Sequence, residues 1–509
     1  MNAGNTKSLT DILYAQKPEK LLPQVLESSY EIPAYKSIVL LVTPGLAHFM
    51  DRELFLRPLL ETLHGRLLSG PRMRTVRTIA AVVDALPAPQ NRGLKPDVLP
   101  AEGVALLLTR HLFNNYRILR GQDTTKKEAS PPAAFSFLST LSHGFLSPLW
   151  HSRYRLTLPI ANTLFLNGQQ HTMVSDQWAV PVGYVETKPL VQSTEKLSHV
   201  VVNLSYGPET LLDGHIPLQP LTLEREITQC MGNILTKIEV NGASVPASQE
   251  LESAVAKFVA SRPDHGSVAV YALIRPPHID EESKAVQQLA DDGKISLVTS
   301  ALLRGAKLHK VTGGGGGWGE KAGLLSLEAA DTLWPVTQPT MQFPALEDDG
   351  STTSMPKPYE IIEKGSTVEF FVHTGTDPSE KTACLAEPEE AAVQQGRSTT
   401  WALGTTSGPE VLTRPVDLEV NADHSPGVRF LPDYFGMLTY GNLALKGTKL
   451  PRKEKTSLED MTLKKWRTRI DVPGSHFILE ARPEYYRQAM ARKEAARSRG
   501  RTRRFSQDH

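Results

Sequence analysis

One stretch could bind a ligand through its backbone amides: a run of five glycines that is followed by a tryptophan and one more glycine. It comprises Gly313, Gly314, Gly315, Gly316, Gly317, Trp318 and Gly319. Consecutive glycine amides carry no side chain and can form a concave nest for a phosphate or another small anion. Lys310 and Lys321 flank the run, and Trp318 could close it as a lid. The pattern therefore predicts a site for a small anionic ligand.

Two other interpretations of the glycine run stay open. It could be a packing loop, where backbone passes close to backbone, or a linker. A standard nucleotide-binding P-loop is excluded, because Glu320 occupies the position of the P-loop lysine and Lys321 comes one residue late. We expect the run to be ordered against the body of the protein, with Trp318 at least partly buried.

Asp84 is the second candidate ligand-binding residue. It follows the apolar run Thr78–Val83, which is typical of a buried strand. Open α/β sheets place their ligand sites at the carboxyl ends of such strands. The alternative is a turn residue that caps the strand before Leu86 and Pro87.

The C-terminal arm carries the strongest electrostatic signal in the chain. Residues 451–509 contain 16 Lys or Arg and eight Asp or Glu, although the net charge of the whole chain is only +1. Arginine pairs bidentately with phosphate and stacks on bases, so the arm predicts binding to RNA or to a ribonucleoprotein. A solvated basic tail and a localisation signal are the alternatives. The predicted RNA-binding residues are Arg487, Arg492, Lys493, Arg497, Arg499, Arg501, Arg503 and Arg504. Lys464, Lys465, Arg467 and Arg469 add a second basic cluster around Trp466.

Catalytic and metal-binding patterns are missing from the sequence. It has no H-E-x-x-H, no paired cysteines and no G-x-S-x-G elbow, and its histidines are scattered. We therefore assign no catalytic residue, no metal site and no cofactor. Whether the chain is an enzyme stays uncertain, and a non-enzymatic protein is favoured.

The helices and strands predicted around these residues indicate an α/β (or α+β) fold. In such a fold helices cover mixed sheets, and here long polar insertions separate the elements along the chain. Buried strands are predicted at Ser37–Thr43, Thr78–Asp84, Gly103–Leu108, Ser267–Ile274 and Thr367–Val372. Helices are predicted at Leu46–Leu68, with a break at Pro58, and from Ser248 to about Ala260. Asn167 and Gly168 indicate a hairpin turn.

Four regions are predicted along the chain. The first two are α/β, the third contains β structure with loop or disordered insertions, and the fourth is the basic arm. Their limits are 1–120, 135–340, 341–450 and 451–509.

The composition of the chain indicates the cellular compartment. Two distant cysteines and an N-terminus without an apolar segment favour an intracellular protein, mitochondrial or cytoplasmic, although no clear targeting signal is present. No apolar run is long enough to span a membrane. The sequence does not indicate an oligomeric state.

The glycine–tryptophan block also carries a resemblance. Together with Lys307–Lys310 before it and Gly323–Leu327 after it, the block resembles a group of filamentous-fungal proteins that has no assigned activity. Fragments at Val39–Thr43, Ala81–Asp84 and Met231–Pro246 are similar to the strands and the glycine-asparagine turn of the FIST ligand-sensor domain. Neither likeness implies a catalytic residue.

Three functions follow from these observations. The leading hypothesis is a non-enzymatic binding protein, an accessory factor of mitochondrial RNA or ribonucleoprotein metabolism that uses the basic arm. The second is a FIST-like sensor of a small ligand. The third is an enzyme that acts on a phosphorylated substrate at the glycine run.

Overall fold

A computed structural model describes the chain in the following ranges: 36–64, 73–92, 95–109, 116–118, 132–142, 150–181, 188–204, 210–261, 268–277, 286, 290, 295–314, 323–328, 362–363, 365–373, 399–408, 431, 434–451 and 465–481. The described residues divide between two units. Unit 1 takes Met1–Phe137, Thr157–Asn203 and Pro388–Tyr440, and unit 2 takes Leu138–Leu156, Leu204–Glu387 and Gly441–His509.

Strands make up most of the described structure. They are β1 (Ser37–Val42), β2 (Met73–Val82), β3 (Leu86–Arg92), β4 (Lys95–Ala101), β5 (Val104–Thr109), β6 (Tyr116–Ile118), β7 (Ala134–Ser142), β8 (Trp150–Pro159), β9 (Met173–Pro181), β10 (Leu190–Asn203), β11 (Thr210–His215), β12 (Leu218–Pro220), β13 (Arg225–Met231), β14 (Ile234–Val240), β15 (Ala243–Pro246), β16 (Ala269–Arg275), β17 (Lys307–Gly314), β18 (Leu325–Leu327), β19 (Thr367–His373), β20 (Thr399–Thr405), β21 (Tyr434–Thr439), β22 (Leu443–Pro451), β23 (Lys465–Ile470) and β24 (His476–Ala481).

The described helices are fewer and mostly short. They are a 3-10 segment (Pro44–Met50), a π-helical turn (Arg52–Leu56), α1 (Arg57–His64), α2 (Leu164–Asn167), α3 (Ala247–Ser261) and α4 (Leu297–Arg304).

In unit 1, β1 lies at the centre of the core. It pairs in parallel with β2 and antiparallel with β5, and all six of its residues are buried. The 3-10 segment, the π-helical turn and α1 pack on this sheet through Phe49, Phe55 and Leu60. A strand buried on both faces needs apolar residues throughout, which is why the run Ile38–Val42 is continuous rather than alternating.

The predicted helix Leu46–Leu68 is wrong as a single element, although its apolar residues do cover the sheet. Asp51 interrupts it in an extended conformation and caps the next turn by accepting hydrogen bonds from the amides of Glu53 and Leu54, both at 2.8 Å. Pro58 lies in the first turn of α1, where a missing N–H costs little. Residues 65–68 lie outside the described ranges.

In unit 2, six strands form a closed antiparallel barrel. The order is β19-β13-β14-β18-β17-β16, and β16 pairs again with β19 to close the ring. Seven residue pairs join these two closing strands, from Ala269 opposite His373 to Arg275 opposite Thr367. Leu235, Ile274 and Phe370 are buried in its core. Barrel closure leaves no open sheet edge among these six strands.

The predicted α/β class is therefore wrong. Among the described residues 59% are in strands and 19% in helices, and the architecture is mostly β with a closed six-stranded barrel. The reason lies in the pattern of unit 2, where β13 and β14 each mix buried with exposed residues, as strands with one solvated face do. Parallel pairing joins β1 to β2 and β20 to β21, but the first half of β2 carries polar and exposed residues, unlike the buried strands of an α/β sheet.

Candidate functional site

The first two glycines of the predicted anion site belong to the barrel. Gly313 and Gly314 end β17 and pair with Ser326 and Leu325 of β18. A methyl group on Gly314 would overlap the side chain of Leu325 and lie 2.7 Å from the carbonyl oxygen of Leu324. Position 314 therefore requires glycine because two backbones lie close together there, in agreement with the packing interpretation of the run.

The rest of the predicted anion site lies outside the described residues. This applies to Gly315, Gly316, Gly317, Trp318, Gly319 and Lys321. Lys310 is exposed on β17. The anion nest and the burial of Trp318 stay predictions.

Asp84 follows β2 in unit 1 and is buried. Its carboxylate accepts hydrogen bonds from the amide of Tyr440, at 2.9 Å, and from the hydroxyl of Thr439. Two backbone hydrogen bonds between Ala85 and Leu438 run beside this contact. Burial raises the pKa of Asp84, and the two hydrogen bonds oppose that rise. The side chain thus joins the end of β2 to the end of β21, a long-range contact that the turn alternative did not include. A ligand-binding role of Asp84 stays a prediction.

A small polar recess opens beside β17 of the barrel. Its lining includes Tyr271, Lys310, Glu328, Arg469 and Asp471, and it has room for about one water molecule. The Arg469 guanidinium forms ion pairs with Asp471 and with Glu328. The Tyr271 hydroxyl donates to the backbone oxygen of Asp471 at 3.2 Å, and burial raises the pKa of Tyr271 to about 12.

Most charged groups in this recess already have a partner within it, because Arg469 pairs with Glu328 and Asp471. A tyrosine with so high a pKa is not a general base at neutral pH, and the guanidinium of Arg469 is already neutralised by two carboxylates. The recess therefore stabilises the junction of the barrel with β23 and offers little to a ligand.

A row of three residues crosses β8, β22 and β23, which neighbour one another in unit 2. Gly447 of β22 lies opposite Trp466 of β23. Because Gly447 has no side chain, the Trp466 indole lies over it and meets Tyr154 of β8, with 6.2 Å between the ring centroids. The indole N–H donates to the carbonyl oxygen of Leu302 at 3.0 Å. These three residues mark the side of β8, β22 and β23 that faces the interior of the protein.

The opposite side of these strands presents cations. Side chains alternate along a strand, so Arg153 and Arg155 point away from Tyr154, while Lys446 and Arg467 point away from the Gly447–Trp466 pair. Lys446 and Arg467 are direct cross-strand partners. We call these four residues, Arg153, Arg155, Lys446 and Arg467, the basic face.

Arg155 is the most unusual member of the basic face. Its side chain is half-buried, and burial lowers its pKa. The side chains of Arg155 and of the exposed Arg153 form no hydrogen bond or ion pair with any described residue. A partly desolvated guanidinium without an anion is unfavourable. Phosphate is the group that a planar guanidinium binds best apart from a carboxylate.

Sequence reasoning found only part of the basic face. The sequence indicates the cluster Lys464–Arg469, but its side chains lie in different environments along β23. Trp466 points inward, Arg469 pairs with carboxylates, and Arg467 joins the basic face. Arg153 and Arg155 were missed because they are distant in sequence, although the alternation Arg-Tyr-Arg was visible. The C-terminal residues Arg487, Arg492, Lys493, Arg497, Arg499, Arg501, Arg503 and Arg504 lie outside the described residues.

Among the residues that the structure describes, no helix is long and apolar enough to cross a membrane. In the same ranges, no three His, Cys, Asp or Glu residues are grouped so that they could hold a metal ion.

Comparison with known proteins gives no relative. The sequence matches no protein-family model, and no curated protein or solved structure is similar to it.

Proposed function

We propose that this chain is a non-enzymatic RNA-binding protein of a ribonucleoprotein, and that the basic face binds phosphate groups of the RNA. The main support for this proposal is the pair Arg153 and Arg155. Their guanidinium groups lie on one face of a sheet and have no anionic partner among the described residues. The C-terminal arm adds a second, sequence-derived source of positive charge.

The geometry of the basic face favours backbone binding. Neighbouring strands lie roughly 4.8 Å apart, so three strands spread the cations over roughly 10 Å. The Gly447–Trp466 row holds the strands in register from the other side. Aromatic side chains of this row, Tyr154 and Trp466, point away from the basic face and are not available there for base stacking. Binding through phosphates alone positions a protein without reading sequence.

Titration of a fluorescently labelled single-stranded RNA of mixed sequence tests the proposal. The double variant Arg153→Gln, Arg155→Gln removes two phosphate contacts, so the slope of log affinity against log salt should decrease by about 1.4. At low salt we expect binding to be at least about 30-fold weaker, since the two charge-assisted contacts contribute roughly 1 kcal/mol or more each. Lys257→Gln, on the exposed face of α3, is the matched control and should bind like the wild type.

A second variant separates the arm from the basic face. A chain that ends at residue 483 keeps β24 complete and removes all eight predicted arm residues. Its affinity should fall further, and its salt slope should decrease by more than that of the double variant. RNA binding that is equal in the wild type, the double variant and the shortened chain would refute the proposal, as would binding that does not depend on salt.

The proposal includes a place in mitochondrial or cytoplasmic RNA metabolism. Fluorescence microscopy of the tagged full-length chain, together with sedimentation against ribosomal particles, addresses that point. A tagged chain outside both compartments would contradict it.

A further inference from the structure

Two histidines that are far apart in the sequence meet at a sheet edge in unit 2. His215 ends the edge strand β11, His476 begins β24, and the two residues are direct cross-strand partners. Their ring centroids are 5.6 Å apart, and the planes of the rings are inclined by 45°. His215 is exposed, whereas His476 is only 3% exposed, so solvent reaches the pair from one side. We call His215 and His476 the histidine pair.

The spacing of the histidine pair suits a shared metal ion. A zinc–nitrogen bond is roughly 2.0–2.1 Å long, so an ion bound in line with a ring nitrogen lies roughly 3.2 Å from the centroid of that ring. Two such rings at the tetrahedral angle have centroids roughly 5.2 Å apart. The observed 5.6 Å exceeds this value by about 0.4 Å, which a small rotation of the exposed His215 side chain can supply.

The nitrogen of His476 that can bind a metal is determined by a backbone contact. Its Nδ1 lies 3.2 Å from the carbonyl oxygen of Gly474, and because a carbonyl oxygen only accepts, Nδ1 carries the proton and donates. Nε2 then holds the lone pair that a metal requires. Coordination through one ring nitrogen while the other donates to a carbonyl is the usual arrangement of a metal-binding histidine. An ion at Nε2 would replace any hydrogen bond that this lone pair accepts in the metal-free chain.

The turn before β24 holds the Gly474 carbonyl in place. The hydroxyl and the amide of Ser475 both donate to the carbonyl oxygen of Val472, at 2.7 and 3.2 Å. Gly474 has a φ of 82°, a left-handed conformation that favours glycine. His373 adds a hydrogen bond from its Nε2 to the carbonyl oxygen of Pro473 at 3.1 Å. A ligand that is already held by such contacts loses little conformational entropy when it binds an ion.

We propose that the histidine pair binds a divalent transition-metal ion of the class that prefers imidazole, such as Zn²⁺. Two imidazoles fill two of the four positions of a tetrahedral ion, so water or a ligand from outside the chain takes the others. The described ranges contain no group of three potential ligand residues, and the proposal needs only two. It is independent of RNA binding, because neither histidine belongs to the basic face.

Metal titration of the full-length chain, purified without a histidine tag, tests this inference. Calorimetry measures the affinity for Zn²⁺, and the visible absorption of bound Co²⁺ reports on its ligands. We expect His215→Gln to weaken the tightest Zn²⁺ binding at least about tenfold, since one of two protein ligands is lost. His48→Gln, at a half-buried histidine in unit 1, is the matched control and should bind like the wild type. An excess of Mg²⁺ should not compete, because Mg²⁺ prefers oxygen ligands.

A thiolate at position 215 gives a direct signature of the site. Cysteine also coordinates zinc and cobalt, so Co²⁺ bound to His215→Cys should gain the strong near-ultraviolet absorption of a sulfur–cobalt bond. Without metal, His215→Gln should melt like the wild type, because His215 is exposed. Three results would overturn the inference. They are the absence of Zn²⁺ binding, equal Zn²⁺ affinity of wild type and His215→Gln, which would indicate an adventitious ion only, and a Co²⁺ spectrum that His215→Cys leaves unchanged.

Discussion

Gly447→Ala perturbs the row that supports the basic face. A methyl group at this position would overlap the indole of Trp466 at Cε2 and Cζ2 and lie 2.7 Å from Cη2. The indole has little freedom to retreat, because its ring edge meets Tyr154 and its N–H is hydrogen-bonded to Leu302. We therefore expect the substitution either to displace Trp466 or to separate β22 from β23.

The expected cost of Gly447→Ala follows from what Trp466 would lose. Forcing an extra methyl group into a packed site costs about 1–3 kcal/mol. Loss of the aromatic pair and of the indole hydrogen bond costs about 0.5–1.5 kcal/mol each. These losses overlap, so we expect a local destabilisation of about 3 kcal/mol.

Hydrogen exchange followed by mass spectrometry is the suitable assay, because peptides from β22 and β23 report on their own opening rather than on a global transition. A loss of about 3 kcal/mol should speed their exchange roughly 100-fold. Gly313→Ala is the control, since a methyl group there meets no atom within 4 Å. Its effect should stay below about 0.5 kcal/mol.

A double-mutant cycle decides whether the clash with the indole is the cause. In a Trp466→Leu background the added methyl group has room, so Gly447→Ala should cost less than about 1 kcal/mol. If Gly447→Ala accelerates exchange equally with and without Trp466, the steric argument is refuted.

Three further predictions concern other parts of the chain. Burial raises the folded-state pKa of Asp84 above its usual 3.8, so the folded chain binds this proton more tightly than the unfolded chain. The stability of wild type relative to Asp84→Asn should therefore fall as the pH rises above the usual pKa of 3.8, which denaturant titrations at several pH values would measure. Gly314→Ala should destabilise the barrel by about 1–3 kcal/mol while Gly313→Ala does not, and equal melting temperatures of the two variants would contradict the close packing. Thr78→Val should cost about 1–3 kcal/mol by thermal unfolding, because the buried Trp178 indole donates to the Thr78 hydroxyl at 2.9 Å. Thr78→Ser should restore most of that stability.

Local elements were predictable because their signals are local. The predicted strands Ser267–Ile274 and Thr367–Val372 are confirmed, with ends shifted by one or two residues, as β16 and β19. The helix predicted from Ser248 to Ala260 is confirmed as α3, Ala247–Ser261. In each case a contiguous apolar run or a helical spacing of apolar residues determines the element without reference to the rest of the chain.

The barrel and the basic face could not be predicted in the same way. β16 and β19 are nearly 100 residues apart, and no short-range pattern says that they pair. The basic face combines strands from three separate segments, and only the pairing of Gly447 with Trp466 reveals which side each arginine takes. Asp84 illustrates the same limit, because its hydrogen-bond partner Tyr440 lies 356 positions away.

Closure of the barrel has a consequence during synthesis. β13 and β16 both need β19 as a partner, and about 90 residues separate Arg275 from Thr367. At roughly 5–20 residues per second, a ribosome needs about 5–20 s to make that stretch. Throughout this interval the nascent chain carries two unpaired strand edges, which favour association with other chains. Chaperone capture during translation should therefore peak before residue 367 emerges and decline once β19 is free to pair.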